Sequence, residues 1–236
     1  MKPFMDHEDL ILADVENDNT PLYLSKITCS RLEKQNNDLT LMLHSLEVTA
    51  RGLAQLATVE PDHPSEVIVL DIETTGLSWI EAEILQISII SGTGETLYNS
   101  YLRPLHHMAW PEAEKINKIT PSMVADAPNI YHEMPKINGI LKHAKTIIGY
   151  NHAGFDLPFL KQFGAVVPDA AEINDVMLEF APIYGEWDNV HDDYRWKSLI
   201  DCAAYYGYDQ GEDAAHNSLS DCRATLHCYH AIHQSE

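Results

Sequence analysis

Val67-Ile68-Val69-Leu70 runs directly into Asp71-Ile72-Glu73-Thr74-Thr75-Gly76, and this junction constrains the fold more than any other segment. Four apolar residues, three of them β-branched, predict a buried strand. Side chains two apart on a strand project to the same side, so Asp71 and Glu73 converge at its end. Like charges held together are unfavourable unless a proton or a cation lies between them. Oxygen-only ligands suit Mg2+ or Mn2+. Taken alone, the run also fits a solvated strand-to-turn junction, and the remainder of the chain has to decide.

With 236 residues, 45% of them hydrophobic, the chain can fill the core of one catalytic domain with an appendage, or of one large domain. No run reaches the length of a membrane span, and residues 1–8 lack the basic and apolar parts of a secretory signal. Cys29, Cys202, Cys222 and Cys228 form no C-x-x-C pair, so free thiols and a cytoplasmic location are expected. Fifteen lysines and arginines stand against thirty-six acids, a net charge of -21. Such a surface repels extended duplexes. A short single-stranded end, its phosphates neutralised locally by metal, is compatible with that charge.

Two regions are expected, a helical extension over residues 1–60 and a catalytic domain over 61–236, with Pro61-Asp62-His63-Pro64-Ser65 as the entry turn. Leu32, Leu39, Leu46 and Leu53 recur every seven residues, predicting a helix over about 38–56 with a shorter one before it. Asn36, Asn37, Thr49 and Arg51 interrupt a broad apolar stripe, so a small helical hairpin packed on the main domain is the expectation. A dimerising coiled-coil seam is the alternative. From Val67 the pattern turns α/β, with strands over 67–72, 84–90 and 96–102 joined as an antiparallel meander through Ser91-Gly92-Thr93-Gly94. Helices follow at Pro111, at Thr120-Pro121-Ser122, over about 134–144, over 198–206 and over 218–233, with a short strand at 146–149. This order predicts a mixed sheet covered by helices.

Beyond the 146–149 strand lies Gly149-Tyr150-Asn151-His152-Ala153-Gly154-Phe155-Asp156. Asp156 stands where a loop enters a helix, as a site acid or simply a helix-start carboxylate. Asn151 fits a turn former equally well. Asp221 falls on the last helix, and His216 precedes it by five residues. A mobile histidine facing a fixed carboxylate suits phosphodiester hydrolysis, where acids hold metals and a near-neutral base takes a proton from water. Among thirteen histidines, an exposed loop residue is the plainer reading of His216 alone.

In order, Asp71-Ile72-Glu73-Thr74-Thr75-Gly76-Leu77, Asn151-His152-Ala153-Gly154-Phe155-Asp156 and His216-Asn217-Ser218-Leu219-Ser220-Asp221 resemble the three motifs of the DnaQ-like 3'-5' exonucleases of the DEDDh subclass. Ile116-Asn117-Lys118-Ile119-Thr120-Pro121-Ser122-Met123-Val124 resembles the family's I-H-G-I-T-x-x-M-V stretch. The resemblance spans roughly residues 66–233. It implies an α/β, RNase H-like fold, a mixed five-stranded sheet flanked by helices. It implies Asp71, Glu73, Asp156 and Asp221 as ligands of two Mg2+ or Mn2+ ions, with His216 orienting and deprotonating the attacking water. Thr74, Thr75, Gly76 and Leu77 would meet the terminal nucleotide, Leu77 as an apolar wedge. Asn151 would shape the turn or touch substrate, and Phe155 would pack under the terminal sugar or fill the core.

Asn117 and Lys118 replace the usual His-Gly, so the substrate loop is expected to sit differently, with Asn117 retained as a substrate-side residue and Lys118 as a possible phosphate contact. Ser218 and Cys222, where alanines are common, are small enough for tight helix packing. Residues 184–196 read as a lid or a solvated loop, with Trp196 in or near the core. The implied activity is metal-dependent removal of nucleoside 5'-monophosphates from single-stranded or frayed 3' ends, of DNA in the first instance. Trimming of RNA or short oligonucleotides is an alternative, and a non-catalytic polymerase-associated adaptor a further one. Residues 1–60 are the candidate surface for a protein partner or self-association, and no membrane association is expected.

Overall fold

The computed structural model describes residues 20–56, 58–209 and 217–234. The chain divides into two units, residues 1–49 and 50–236. Helix α1 runs without interruption over Thr20–Leu56. The expected hairpin of two shorter helices is therefore incorrect. Asn36 and Asn37 interrupt the apolar stripe without ending the helix: an interior asparagine costs only about half a kcal/mol relative to alanine, and no glycine or proline separates Leu22 from Arg51.

In the second unit the first three strands are β1 (Val67–Thr74), β2 (Ile84–Ser91) and β3 (Thr96–Tyr101). They are followed by α2 (Pro111–Asn117), α3 (Pro121–Val124) and α4 (Ile130–Leu141). Strand β4 (Thr146–Gly149), α5 (Asp156–Gln162), β5 (Glu172–Asp175) and α6 (Val176–Tyr184) come next. A two-residue pair, β6 (Trp187–Asp188) and β7 (Asp193–Tyr194), leads into α7 (Leu199–Tyr205) and α8 (Ser218–His233). The five-stranded sheet has the order β3-β2-β1-β4-β5. The β1–β2 and β2–β3 pairs are antiparallel, while β4 lies parallel to β1 and β5 parallel to β4. This is the mixed, helix-flanked RNase H-like architecture.

Alternation along β1 divides the core. Ile68, Leu70 and Ile72 join Ile87 and Ile89 on one face, under Met134, Ile137 and Ile140 of α4 and Phe159 and Leu160 of α5. Val69 joins Ile90 and Ile148 on the other face, with Phe180 of α6, Cys202 of α7 and Cys222 and Cys228 of α8. The second face is therefore where Asp71 and Glu73 must emerge, on the α8 side. The cysteines Cys202, Cys222 and Cys228 are free and buried. Among the described residues, no helix is long and apolar enough to cross a membrane.

The segment before the sheet locks onto α4 through one backbone contact. The Val59 N–H donates to the Pro135 carbonyl at 2.8 Å, and a Cβ at Gly139 would meet the Val59 carbonyl oxygen at 1.8 Å. Backbone, not a flexible side chain, would have to give way. Gly139→Ala is expected to destabilise the fold by about 1–3 kcal/mol, the usual cost of overpacking; a denaturant midpoint equal to that of the parent chain would contradict this.

Trp196 does not enter the core: it is 62% exposed. The Tyr150 hydroxyl donates to the carbonyls of Lys197 and Ser198 at 2.8 and 3.0 Å, and Ser198 caps α7 in a reciprocal capping box with Asp201. Phe180 and Tyr206 occupy the core on that side, leaving Trp196 outside. Residues 184–196 are not wholly loop either, since β6 and β7 pair antiparallel within them.

Candidate active site

Asp71 and Glu73 lie on the second sheet face at the end of β1, and α8 is pressed close enough to meet them. Ser218 and Cys222 are fully buried. The Ser218 and Ser88 hydroxyls lie 2.7 Å apart, and the Cys222 thiol points at the Val69 and Ser88 carbonyls at 3.7 and 3.4 Å. Small residues permit this approach, and Asp221, in the first turn of α8, is thereby carried to the strand end. Carboxylate oxygens of Asp71, Glu73 and Asp221 lie within 4.8 Å of one another.

Asp156 arrives by another route. A loop between β4 and α5 delivers it buried, and its Oδ1 accepts the Ile72 backbone N–H at 2.9 Å. It lies outside the trio above, yet close enough for its charge to act on Asp71 and Glu73. Asn151 adopts a left-handed backbone conformation, φ 58°, which asparagine tolerates better than most residues. Its N–H and that of Ala153 donate to Asp175 at 2.8 and 3.2 Å, and the Phe155 N–H returns to the Asn151 carbonyl. Phe155 itself is half-buried, with its ring centroid 5.0 Å from that of Phe159.

Two participants in this loop were assigned no role at the sequence level. Asp175 closes β5, caps α6 through the Met177 N–H and gathers the loop amides just described. His152 is fully buried beneath it, with Nδ1 3.5 Å from the Asp175 carboxylate. A Cβ at Gly149 would strike the His152 ring at 2.4 Å, so glycine is required there. The available signal was an aspartate just before the apolar helix start Val176-Met177-Leu178, but the loop amides it serves are over twenty residues away.

The turn after β1 is built by Thr74, Thr75 and Gly76. The Thr74 hydroxyl donates to the Gly76 carbonyl at 2.6 Å, and the Thr75 hydroxyl accepts the Glu83 N–H at 2.9 Å. Buried Glu83, also missed, accepts the N–H groups of Leu105, His106 and His107 at 2.6–3.0 Å, tying the 105–107 loop to this turn. Leu77 projects from it, 86% exposed. Asn117 is buried: its Nδ2 donates to the Thr74 carbonyl and its Oδ1 accepts the Ile119 N–H, both at 3.1 Å. Lys118 ends α2 in the left-handed region, its ammonium turned back onto the Lys115 carbonyl. His216 lies outside the described residues; Asn217 immediately after it caps α8 through the Leu219 N–H.

The acids perturb one another. Burial and then the neighbouring charges of Asp156, Asp221 and Glu73 push the Asp71 carboxyl well above its ordinary range. Burial, Asp221 and Asp156 raise Glu73 to about 8, against a smaller downward pull from an Asn117 hydrogen bond. Burial raises Asp156 to about 7, partly offset by His152 and the Ile72 N–H. For Asp175 burial acts in the opposite direction to its partners, and hydrogen bonding from His152, Asn151 and Ala153 prevails, lowering it. A crowd of oxygen donors that holds protons when no cation is present fits Mg2+ or Mn2+.

A pH dependence follows with a definite sign. In the metal-free fold Glu73 and Asp156 keep protons up to about 8 and about 7, against ordinary values of 4.5 and 3.8. The folded chain then binds more protons than the unfolded one, so stability falls as pH rises through that window. Metal-free protein is expected to lose thermal stability from pH 5 to 8, and Mn2+ to offset the loss. Mn2+ binding at pH 7 should release protons, read as a buffer-dependent heat by titration calorimetry. A buffer-independent heat would contradict the protonated cluster.

Comparison with known proteins agrees with this geometry. The family described as RNase_T: Exonuclease matches residues 68–229, and the chain belongs to that exonuclease family. It is 35% identical over 99 residues to the PolC-type DNA polymerase III of Caldanaerobacter subterraneus subsp. tengcongensis, a stretch covering 41% of this chain and 7% of the polymerase. Similar solved structures include a zinc-bound complex of E. coli ExoI with single-stranded DNA, with TM-score 0.59 and 18% identity, covering 74% of this chain and 41% of that one. E. coli exonuclease I with a dA16 oligonucleotide gives TM-score 0.58 and 17% identity, over 73% and 41% of the two chains. The chain thus spans about two fifths of those nucleases and a small part of the polymerase.

Proposed function

We propose that this chain is a metal-dependent 3'-5' exonuclease acting on single-stranded or frayed 3' ends, DNA first, and releasing nucleoside 5'-monophosphates. The observation that carries the reading is the convergence of Asp71, Glu73 and Asp221 oxygens within 4.8 Å inside a chain of the exonuclease family. Asp71, Glu73, Asp156 and Asp221 are the proposed ligands of two divalent ions. Ions bound there would supply activation of water and charge stabilisation at the phosphoryl group and the leaving 3'-oxygen. His216 would orient the water and take its proton. The turn of Thr74, Thr75 and Gly76 would receive the terminal nucleotide, with exposed Leu77 against its base. Asn151 and Phe155 would border the sugar, and Asn117 would hold the Thr74 turn in place.

The similarly folded E. coli nuclease structures contain single-stranded DNA and dA16, and the -21 charge disfavours long duplexes; both support a single-stranded end. Metal removal tests the chemistry. Protein stripped with EDTA should be inactive on matched DNA and RNA oligonucleotides, and Mg2+ or Mn2+ should restore cleavage, faster on DNA. Calcium should bind without supporting turnover, because its looser coordination fails to position water. Robust hydrolysis in excess EDTA after stripping would contradict the mechanism, whereas faster RNA cleavage would reassign only the substrate.

A further inference from the structure

The exposed residues of α1 repeat with a regularity that packing on a globular domain does not require. Positions 32, 36, 39, 43, 46, 50 and 53 follow one another at alternating steps of four and three, and hold Leu, Asn, Leu, Leu, Leu, Ala and Leu. Leu32, Leu39, Leu43, Leu46 and Leu53 are each 54–62% exposed on a continuous helix. A narrow two-position line sustained for three heptads is the pattern of a coiled-coil seam, whereas a helix lying on a domain shows a broader stripe. Of the other exposed apolar residues, Met42 flanks the line and Leu41 and Val48 lie off it.

We propose that α1 forms a parallel, in-register, two-stranded coiled coil with α1 of a second copy of this chain. Leu32, Leu39, Leu46 and Leu53 would occupy one core position, and Asn36, Leu43 and Ala50 the other. Leucine throughout the first, d-type position is compatible with two strands, and the single asparagine in the other, a-type position specifies register and oligomer state. Asn36 selects the partner: in a parallel, in-register pair of identical chains its amide meets another Asn36, whereas any other register or an all-leucine partner leaves a buried amide unsatisfied. Charge also permits the pairing. Residues 32–53 carry three acids, Glu33, Asp38 and Glu47, against Lys34 and Arg51, in a chain whose net charge is -21. Across a parallel seam the flanking pairs join Gln35 to Thr40 and Met42 to Glu47, so neither brings like charges together. A strict seven-residue repeat on a helix of 3.6 residues per turn winds the pair into a left-handed supercoil.

This inference is independent of the nuclease reading. Light scattering on the full chain at about 50 μM should give twice the 26.6 kDa chain mass. The double variant Leu39→Asp/Leu46→Asp should be monomeric, with unchanged Mn2+ binding and unchanged oligonucleotide cleavage per chain, which also shows that the remaining fold is intact. Asn36→Cys in a Cys29→Ser background should give a disulfide-linked dimer under mild air oxidation, as parallel in-register strands bring the two cysteines together. A monomeric parent chain would overturn the proposal, as would a dimer that survives Leu39→Asp/Leu46→Asp. A dimer that gives no Asn36→Cys crosslink would overturn the parallel register. Loss of oligonucleotide cleavage in all forms, with the dimer intact, would count against the nuclease reading alone.

Discussion

Asp71→Asn should lower kcat at saturating Mn2+ by about 10³-fold or more while the fold persists. Asp71 is the acid on which burial and three neighbouring carboxylates act together, and it shares the 4.8 Å cluster with Glu73 and Asp221. Replacing one oxygen by an amide nitrogen would remove a proposed metal ligand and its negative charge from the acidic cluster with almost no change in side-chain volume. In EDTA at pH 7 the substitution also removes the cost of keeping a proton on this buried, crowded acid, so the variant should melt at a higher temperature than the parent and gain less from Mn2+. Single-turnover cleavage and melting curves with and without metal measure both effects. Near-parent turnover would remove Asp71 from the metal centre, and a lower melting temperature in EDTA would show that the cluster is not strained.

His216→Ala should lower kcat by about 10²–10⁴-fold, the range expected for a positioned general base, with Mn2+ binding nearly unchanged. The motivation is the five-residue offset from Asp221, which is held at the start of α8 by the Asn217 cap and by Ser218 against Ser88. Because the histidine is proposed to take a proton and not to ligate, calorimetric Mn2+ affinity separates its role from that of the acids. A normal single-turnover rate in the purified variant would end the general-base assignment.

The parts of this arrangement legible in sequence are those encoded locally. β1 declares itself by its apolar run, and period-two alternation alone puts Asp71 and Glu73 on one side. The small residues at 218 and 222 anticipate the close approach of α8, and the Gly149–Asp156 loop points to a carboxylate beyond a strand. What was hidden depends on distant partners. β5 is a four-residue edge strand whose Glu172 and Ile173 remain exposed, so it has no hydrophobic period to show. Asp175 and Glu83 look like ordinary acids until the fold brings loop amides to them. Asn117, placed at the substrate side from the resemblance, lies buried with both ends of its amide bonded within the protein. Trp196, expected in or near the core, lies outside because Tyr150 fixes the adjoining backbone at Lys197 and Ser198. The continuity of α1 over Thr20–Leu56 was not legible from the leucine repeat, which begins at Leu32; in a continuous helix Asn36 falls within the proposed seam.

The most direct test of the central claim is a timed ladder on a single-stranded DNA oligonucleotide labelled at its 5' end, run with Mn2+ beside a covalently closed single-stranded circle. The expected result is bands shortening one nucleotide at a time from the 3' end, nucleoside 5'-monophosphate as product, an intact circle, and no ladder with Asp71→Asn. Cleavage of the circle, or release of the labelled 5' nucleotide as the first product, would contradict it.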